Sequence, residues 1–368
     1  MTRLRDLQRA GVSIWIDTLS RDLLDSGDLT RLIDRGVTGA TSNPTIFAKA
    51  ITESDAYDRQ LAALADRGVS DTQQLFFALA LDDVRAAAGH LRPVYDRTDG
   101  GDGFVSFECT PDIADDAAAT VEQAWDLWNR LSLPNVMIKV PATPAGIPAI
   151  EELTARGVNV NITLLFALRR YDEVIDAYMS GLERRAAHDE PLDHIASVAS
   201  FFVSRVDTKA DDELAPGSPL RGTVAVTNAR QAFRLHQERF SDARWRRLAA
   251  KGARDQRPLW ASTGTKNPAY SDVLYVEQLI PPGVVNTMPQ ATLEAFDDHG
   301  NARFPPMNVV DPADNLAGVD LRAAGVDLDR ITAALEREGV GAFSRSYEQL
   351  IDCIQEKTRT LVPGRARR

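Results

Sequence analysis

Short stretches with apolar residues at every second position recur along the chain, separated by longer stretches with a helical period. Eight of them predict strands: SIWIDTL (13–19), GATSN (39–43), FVSFE (104–108), NVMIKVP (135–141), NVNITLL (159–165), IASVASFF (195–202), PLWAST (258–263) and VVNTMP (284–289). Between the third and fourth, Val121, Ala124, Trp125, Trp128 and Leu131 fall at helical spacing. They predict a helix over 112–131 that opens at Thr110-Pro111 and buries both tryptophans. Further on, AIEELTARG ends on Gly157, a usual helix stop, and DRTDGGDG (96–103) predicts the turn before the third strand. Strand–helix alternation repeated eight times predicts an α/β fold, a (β/α)8 TIM barrel with additional helices, rather than an open doubly wound sheet. With no internal repeat and no Pro/Ser-rich linker, residues 1–368 read as one barrel domain. Its strands fall within about 13–289, helical packing follows at 290–362, and the GRARR tail is expected to be disordered.

The alternation also sorts the faces of the strands. In the fourth, Val136, Ile138 and Val140 oppose Met137 and Lys139; in the first, Ile14 and Ile16 oppose Ser13, Trp15 and Asp17. Val105 and Phe107 oppose Ser106 and Glu108 in the third, and Val160, Ile162 and Leu164 oppose Asn159, Asn161 and Thr163 in the fifth. One face suits packing under helices. The other carries polar groups, and in a barrel these faces converge. Asp17, Glu108, Lys139 and Thr163 all fall near the C-terminal ends of their strands, where barrel enzymes hold their chemistry.

Burying an ammonium is costly because leaving water disfavours its charged form. Lys139 therefore has two readings from the residues alone. It can be one half of a structural ion pair with Asp17 or Glu108. Or it can be a reactive amine that attacks a ketone to form a Schiff base, with a carboxylate moving protons beside it. Pattern alone leaves both open.

Composition narrows the class. The formal net charge of −11 and a sequence pI of about 5.1 argue against broad nucleic-acid binding, while leaving room for anionic substrates held by a few local cations. The 44% hydrophobic and 26% charged content is that of a soluble globular protein with a sizeable core. Cys109 and Cys353, the two cysteines, have no framework spacing. The N-terminus lacks an apolar signal core, and no apolar run of membrane-spanning length occurs. A cytoplasmic protein, with no membrane partner, is expected. The five histidines show no ligand spacing, so no metal or cofactor is expected.

Five ordered motifs give the sequence a family likeness: SIWIDTLSR, GVTGATSNPTIF, MIKVPAT, GVNVNITLLF and SFFVSRVD, spread over residues 13–207. LWASTGTKNP and VNTMP extend it to about residue 289. The chain resembles the transaldolases, in the longer form seen in actinobacteria. The resemblance implies a (β/α)8 barrel that transfers a dihydroxyacetone unit from sedoheptulose 7-phosphate or fructose 6-phosphate to an aldose phosphate, glyceraldehyde 3-phosphate or erythrose 4-phosphate. That is a step of the non-oxidative pentose phosphate pathway. It implies Lys139 as the Schiff-base lysine, Asp17 as the general acid/base, and Glu108 with Thr163 as the pair that positions the catalytic water. Asn43 then contacts substrate hydroxyls, and Ser200 and Arg205 the substrate and its phosphate. Shorter transaldolases carry a second phosphate-binding arginine after the seventh strand. Here STGTKNP offers Lys266 instead, with Ser262 nearby, and a lysine lacks the bidentate fork. Related fructose 6-phosphate aldolases use glutamine where Glu108 stands and a tyrosine as acid/base, so Glu108 with Asp17 favours transfer over free cleavage. A catalytically dead barrel kept for binding is the alternative from another class. The oligomer expected is a monomer or homodimer.

Single residues have plainer rivals. Asn43 before Pro44 is an ordinary helix cap. Arg205 can pair locally with Asp207. The basic run 239–257 reads as a solvated helix face, residues beyond about 290 as packing that adds no site residue, and His188 and His194 as solvent-exposed.

Overall fold

The computed structural model describes residues 2–302, 321 and 324–361. Eight parallel strands form: β1 (Ser13–Ile16), β2 (Gly39–Thr41), β3 (Val105–Glu108), β4 (Val136–Pro141), β5 (Val160–Leu165), β6 (Ser197–Phe202), β7 (Gln256–Ala261) and β8 (Val285–Met288). They pair in chain order and β8 closes on β1. The fold is the (β/α)8 barrel that the alternation predicts. β7 begins two residues earlier than its apolar run, because polar side chains hide its start. Gln256 Nε2 donates to Ser197 Oγ at 2.9 Å. Arg257 donates to the carbonyls of Gly283 (2.9 Å), Gly101 (3.0 Å) and Val284 (3.1 Å), fastening loops across the base of the barrel.

The predicted faces separate into two packings. Ile14, Ile16, Val105, Phe107, Val136, Ile138, Val140, Val160 and Ile162 lie in the large core between barrel and helices. Trp15, Phe104, Met137, Val198, Leu259 and Val285 fill the N-terminal half of the barrel as a separate apolar plug. The Trp15 ring occupies the space a Cβ at Gly39 would need, and its Nε1 donates to Asp102 Oδ1 at 2.9 Å. Toward the other end the interior turns polar with Ser106, Asn161 and Ser200, all buried, and then charged. This gradient gives the barrel one apolar end and one polar, charged end.

The helix after β3 differs from its prediction. Thr110-Pro111 opens only a short 3-10 turn, Pro111–Ile113; the helix itself is Ala117–Leu131, capped by Asp116, whose Oδ1 accepts the Ala119 N–H at 3.0 Å. Its buried seam is Thr120, Ala124, Leu127 and Leu131. Trp125 lies one position off that seam, is 36% exposed, and packs under the Arg156 guanidinium at 5.7 Å; Trp128 is half-buried. Gly157 does end its helix, with φ 86° after Gly146–Ala155. His188 and His194 are exposed. The 239–257 run is less solvated than expected. Arg239 pairs with Asp172 and Asp176, and Arg244 with Asp176 and Glu183, so it forms an ion-pair seam against the helix Leu168–Ala187. The GRARR tail lies outside the described residues.

Candidate active site

Strand register brings the charged residues together. Glu108, the last residue of β3, stands beside Lys139 on β4, and Lys139 beside Asn161 on β5. Lys139 Nζ is 3.2 Å from Glu108 Oε2 and donates to the Ser42 carbonyl at 3.5 Å. Ser42 Oγ donates to Glu108 Oε1, also at 3.5 Å. The lysine and glutamate side chains keep only 15% and 9% of their exposure. Burial pushes the Glu108 carboxyl above its usual range, against the opposing pull of the Lys139 charge. Asp17, one residue past β1, is also pushed up by burial. The Thr18 hydroxyl, which donates to it at 3.3 Å, and the charges of Lys139 and Lys266 act in the other direction. Two carboxylates of raised proton affinity thus flank one amine. Such an arrangement suits proton exchange between a carboxylate and the amine.

The nine side chains singled out in the sequence all border two adjoining cavities, which share Asn43, Lys139, Thr163, Phe202 and Arg205. Asp17, Ser200, Ser262 and Lys266 border the one of about 210 Å³. Glu108 borders the other, of about 170 Å³. Asn43 does cap the helix Pro44–Glu53, its Oδ1 accepting the Thr45 N–H at 3.0 Å, and it borders the cavities as well. Ser200 Oγ donates to Asn161 Oδ1 at 2.7 Å, and Asn161 Nδ2 donates to Ser106 Oγ at 2.9 Å. Asn161, placed on the polar face of its strand by the alternation, thus bridges Ser200 and Ser106. It stands one register step from Lys139.

Arg205 is the second residue of the helix Ser204–Glu213, with its guanidinium 5.1 Å from the centre of the Phe202 ring. The rival pairing with Asp207 does not form. Asp207 accepts instead from the Ala225 N–H (2.7 Å) and the Tyr275 hydroxyl (2.9 Å), and among the described residues Arg205 has no carboxylate partner. A half-buried guanidinium without a counter-ion on a cavity wall favours an anionic ligand. Ser262 has φ 56°, unusual for a side chain with a Cβ. Its carbonyl accepts the Ser204 N–H at 3.1 Å and its Oγ lies 3.0 Å from Ser204 Oγ, so the turn after β7 is tied to the helix that presents Arg205. Lys266 is exposed at the rim of the larger cavity. Among the described residues, no group of three His, Cys, Asp or Glu side chains could hold a metal ion, and no helix is long and apolar enough to cross a membrane.

A family model described as Transaldolase/Fructose-6-phosphate aldolase matches residues 14–354. The chain belongs to that family. The transaldolase of Saccharopolyspora erythraea is 48% identical over 360 residues, covering 97% of this chain and 98% of its own length. That of Acidothermus cellulolyticus is 49% identical over 371 residues, with 99% and 98% covered. That of Thermobifida fusca is 48% identical over 360, with 96% and 98% covered. The protein is an enzyme of the transaldolase kind.

The family match runs well past residue 289, where the motifs stop, and the site does too. Gly339, Ala342, Phe343 and Ser346 of the C-terminal helix Leu328–Leu361 border the smaller cavity beside Glu108 and Lys139. The expectation that residues beyond 290 add nothing to the site is therefore corrected. Their helical period gave no hint of it, since a helix packed across a barrel mouth and one packed on its flank bury the same kind of stripe.

Two residues beyond Arg205, the Asp207 carboxyl is pushed up to about 6, chiefly by burial and only partly relieved by its hydrogen bonds. A carboxyl whose folded pKa is raised contributes stability below its unfolded value, near 4, that is lost as pH rises through about 6. Asp207→Asn keeps an acceptor for Ala225 and cannot ionise. Relative to this variant the wild type should lose stability between pH 4 and 7, by about 1 kcal/mol per pH unit in that window. Parallel melting curves for both proteins would contradict this.

Proposed function

We propose that the enzyme is a transaldolase proper. It moves a dihydroxyacetone unit from a ketose phosphate, sedoheptulose 7-phosphate or fructose 6-phosphate, to an aldose phosphate, glyceraldehyde 3-phosphate or erythrose 4-phosphate. The observation that carries this is the half-buried Lys139 amine, 3.2 Å from Glu108, on a cavity bordered also by Asp17 and by Arg205, which has no carboxylate partner among the described residues. Glu108, with proton affinity raised by burial, takes a proton from Lys139. The neutral amine adds to the C2 carbonyl of the ketose, and the carbinolamine loses water to give a protonated imine. Asp17 accepts the C4 hydroxyl proton as the C3–C4 bond breaks; its electron pair passes into the imine, leaving an enamine, and the shorter aldose departs. The enamine attacks the incoming aldehyde, Asp17 returns the proton, and water releases the product. Thr163 and Glu108 hold the water that leaves and returns, Asn43 and Ser200 contact substrate hydroxyls, and Arg205 holds the phosphate, with Lys266 and Ser262 beside it. Two unpaired cysteines suit a cytoplasmic enzyme of the pentose phosphate pathway, working as one domain and as a monomer or homodimer.

Fructose 6-phosphate with erythrose 4-phosphate should yield sedoheptulose 7-phosphate and glyceraldehyde 3-phosphate in a coupled assay. Release of free dihydroxyacetone without acceptor should be at least about tenfold slower, because the enamine waits for an aldehyde. Comparable rates would place the enzyme with the aldolases. Arg205→Ala should raise KM for phosphorylated donors by roughly 10- to 100-fold, the worth of a charge-assisted contact. For unphosphorylated donors the change should be slight; equal effects on both would remove the phosphate role.

A further inference from the structure

The expected alternation of β5 fails at one residue. From Ile162 to Leu165 the strand advances three positions while its partner advances two, from Ala199 to Phe201. The extra residue, Leu164, has φ 59°, a left-handed conformation that costs a Leu about 1–2 kcal/mol. As a result Leu164 and Leu165 both reach the outer core that holds Ile162, and Leu164 in addition borders the smaller cavity together with Thr163. Among the described residues the Thr163 hydroxyl has no hydrogen-bond partner, so backbone geometry and packing at the bulge aim it.

The C-terminal helix packs directly on the bulge. A Cβ at Gly339 would come within 2.9 Å of Leu164 Cδ2, and Gly339 is buried. Glycine in mid-helix is unfavourable by about 1 kcal/mol relative to alanine; here its lack of a side chain permits the close approach. The helix is anchored on both sides of that contact. Before it, Glu336 pairs with Arg170 (3.4 Å) and Glu338 with Lys209 (2.8 Å). After it, Ser346 accepts from Thr45 Oγ1 (2.9 Å), Tyr347 accepts from Gln73 Nε2 (3.0 Å), and Lys357 pairs with Asp58 (2.7 Å). A side chain added at Gly339 therefore pushes on the Leu164 isobutyl group, against Thr163 beside it, rather than moving the helix.

We infer that Gly339 is a positioning residue: through Leu164 it sets where the Thr163 hydroxyl stands over Lys139 and Glu108, and so tunes the steps in which water leaves and enters the imine. This rests on the Schiff-base reading above. Misplacement by even part of an ångström slows a positioned reaction, and alanine favours the helix, so the variant should fold. Gly339→Ala should lower kcat, and the rate at which borohydride traps the donor imine, by about tenfold. Donor KM should stay within about twofold, because Arg205 and Asn43 are untouched. The same substitution made in the Leu164→Ala background should cost less than about twofold, since the obstructing methyl is gone. Added to Thr163→Val, it should again change little, both acting on one step.

Wild-type rates in Gly339→Ala, with the wild type itself trapping imine, would overturn the inference and leave the Schiff base standing. So would a lowered melting temperature with unchanged activity per folded molecule, or a loss that persists undiminished in the Leu164→Ala background. A wild type that traps nothing brings down the Schiff-base reading and this inference with it.

Discussion

Lys139→Ala should lose turnover by roughly 10⁴-fold or more, the order that removal of a covalent nucleophile costs. Among the described residues no neighbouring amine can replace it, since Lys266 is at the rim and a guanidinium is a poor nucleophile. A structural ion pair predicts something else, mainly destabilisation, and the two effects separate with pH. In the variant, Glu108 keeps its burial and loses the Lys139 charge that opposes it, so its carboxyl is raised further. A raised folded pKa gives stability at low pH that is lost as pH rises through it. The variant should therefore approach wild-type stability in acid and fall behind it toward neutrality, yet show no turnover at any pH. Thermal melts and the coupled assay across pH 4–8 measure both. Recovery of activity in acid, where the fold is sound, would make the lysine structural.

The second large effect is expected at Asp17. Asp17→Asn removes the group that accepts the C4 hydroxyl proton and leaves the amine in place. Turnover should drop by about 10²–10⁴-fold, the usual worth of a general acid/base, while the donor imine still forms. Because burial raises both Asp17 and Glu108 above the ordinary carboxylate range, the acid limb of the wild-type kcat/KM profile should lie above that range too; in Asp17→Asn it should become shallower, because only Glu108 still has to lose its proton. An Asp17→Asn enzyme with near-wild-type turnover would contradict the assignment.

Much of this was legible in the sequence, because a parallel barrel writes itself as short two-period runs between long helical ones. The polar face of β4 singled out Lys139, and those of β1, β3 and β5 pointed to Asp17, Glu108 and Thr163. Three kinds of feature were not legible. The bulge at Leu164 breaks the period that made the rest readable, and no glycine marks it. Trp125 fits a helical stripe by spacing, but the buried seam runs one residue away, and only the packed neighbours decide which stripe goes in. The place of Gly339 beside the cavity depends on where a distant helix crosses the barrel, which local pattern does not encode. Asn161 is a different case. Its face was plain in the alternation, and its bridging of Ser200 and Ser106 shows only in the packed barrel.

The central claim is a covalent imine on one lysine. Borohydride reduction of the wild-type enzyme in the presence of fructose 6-phosphate, followed by peptide mass mapping, tests it most directly. The account predicts a single adduct on Lys139, with the mass of a reduced three-carbon or six-carbon imine, retained in Asp17→Asn and absent in Lys139→Ala. No adduct on the wild type, or an adduct on another lysine that persists in Lys139→Ala, would contradict it.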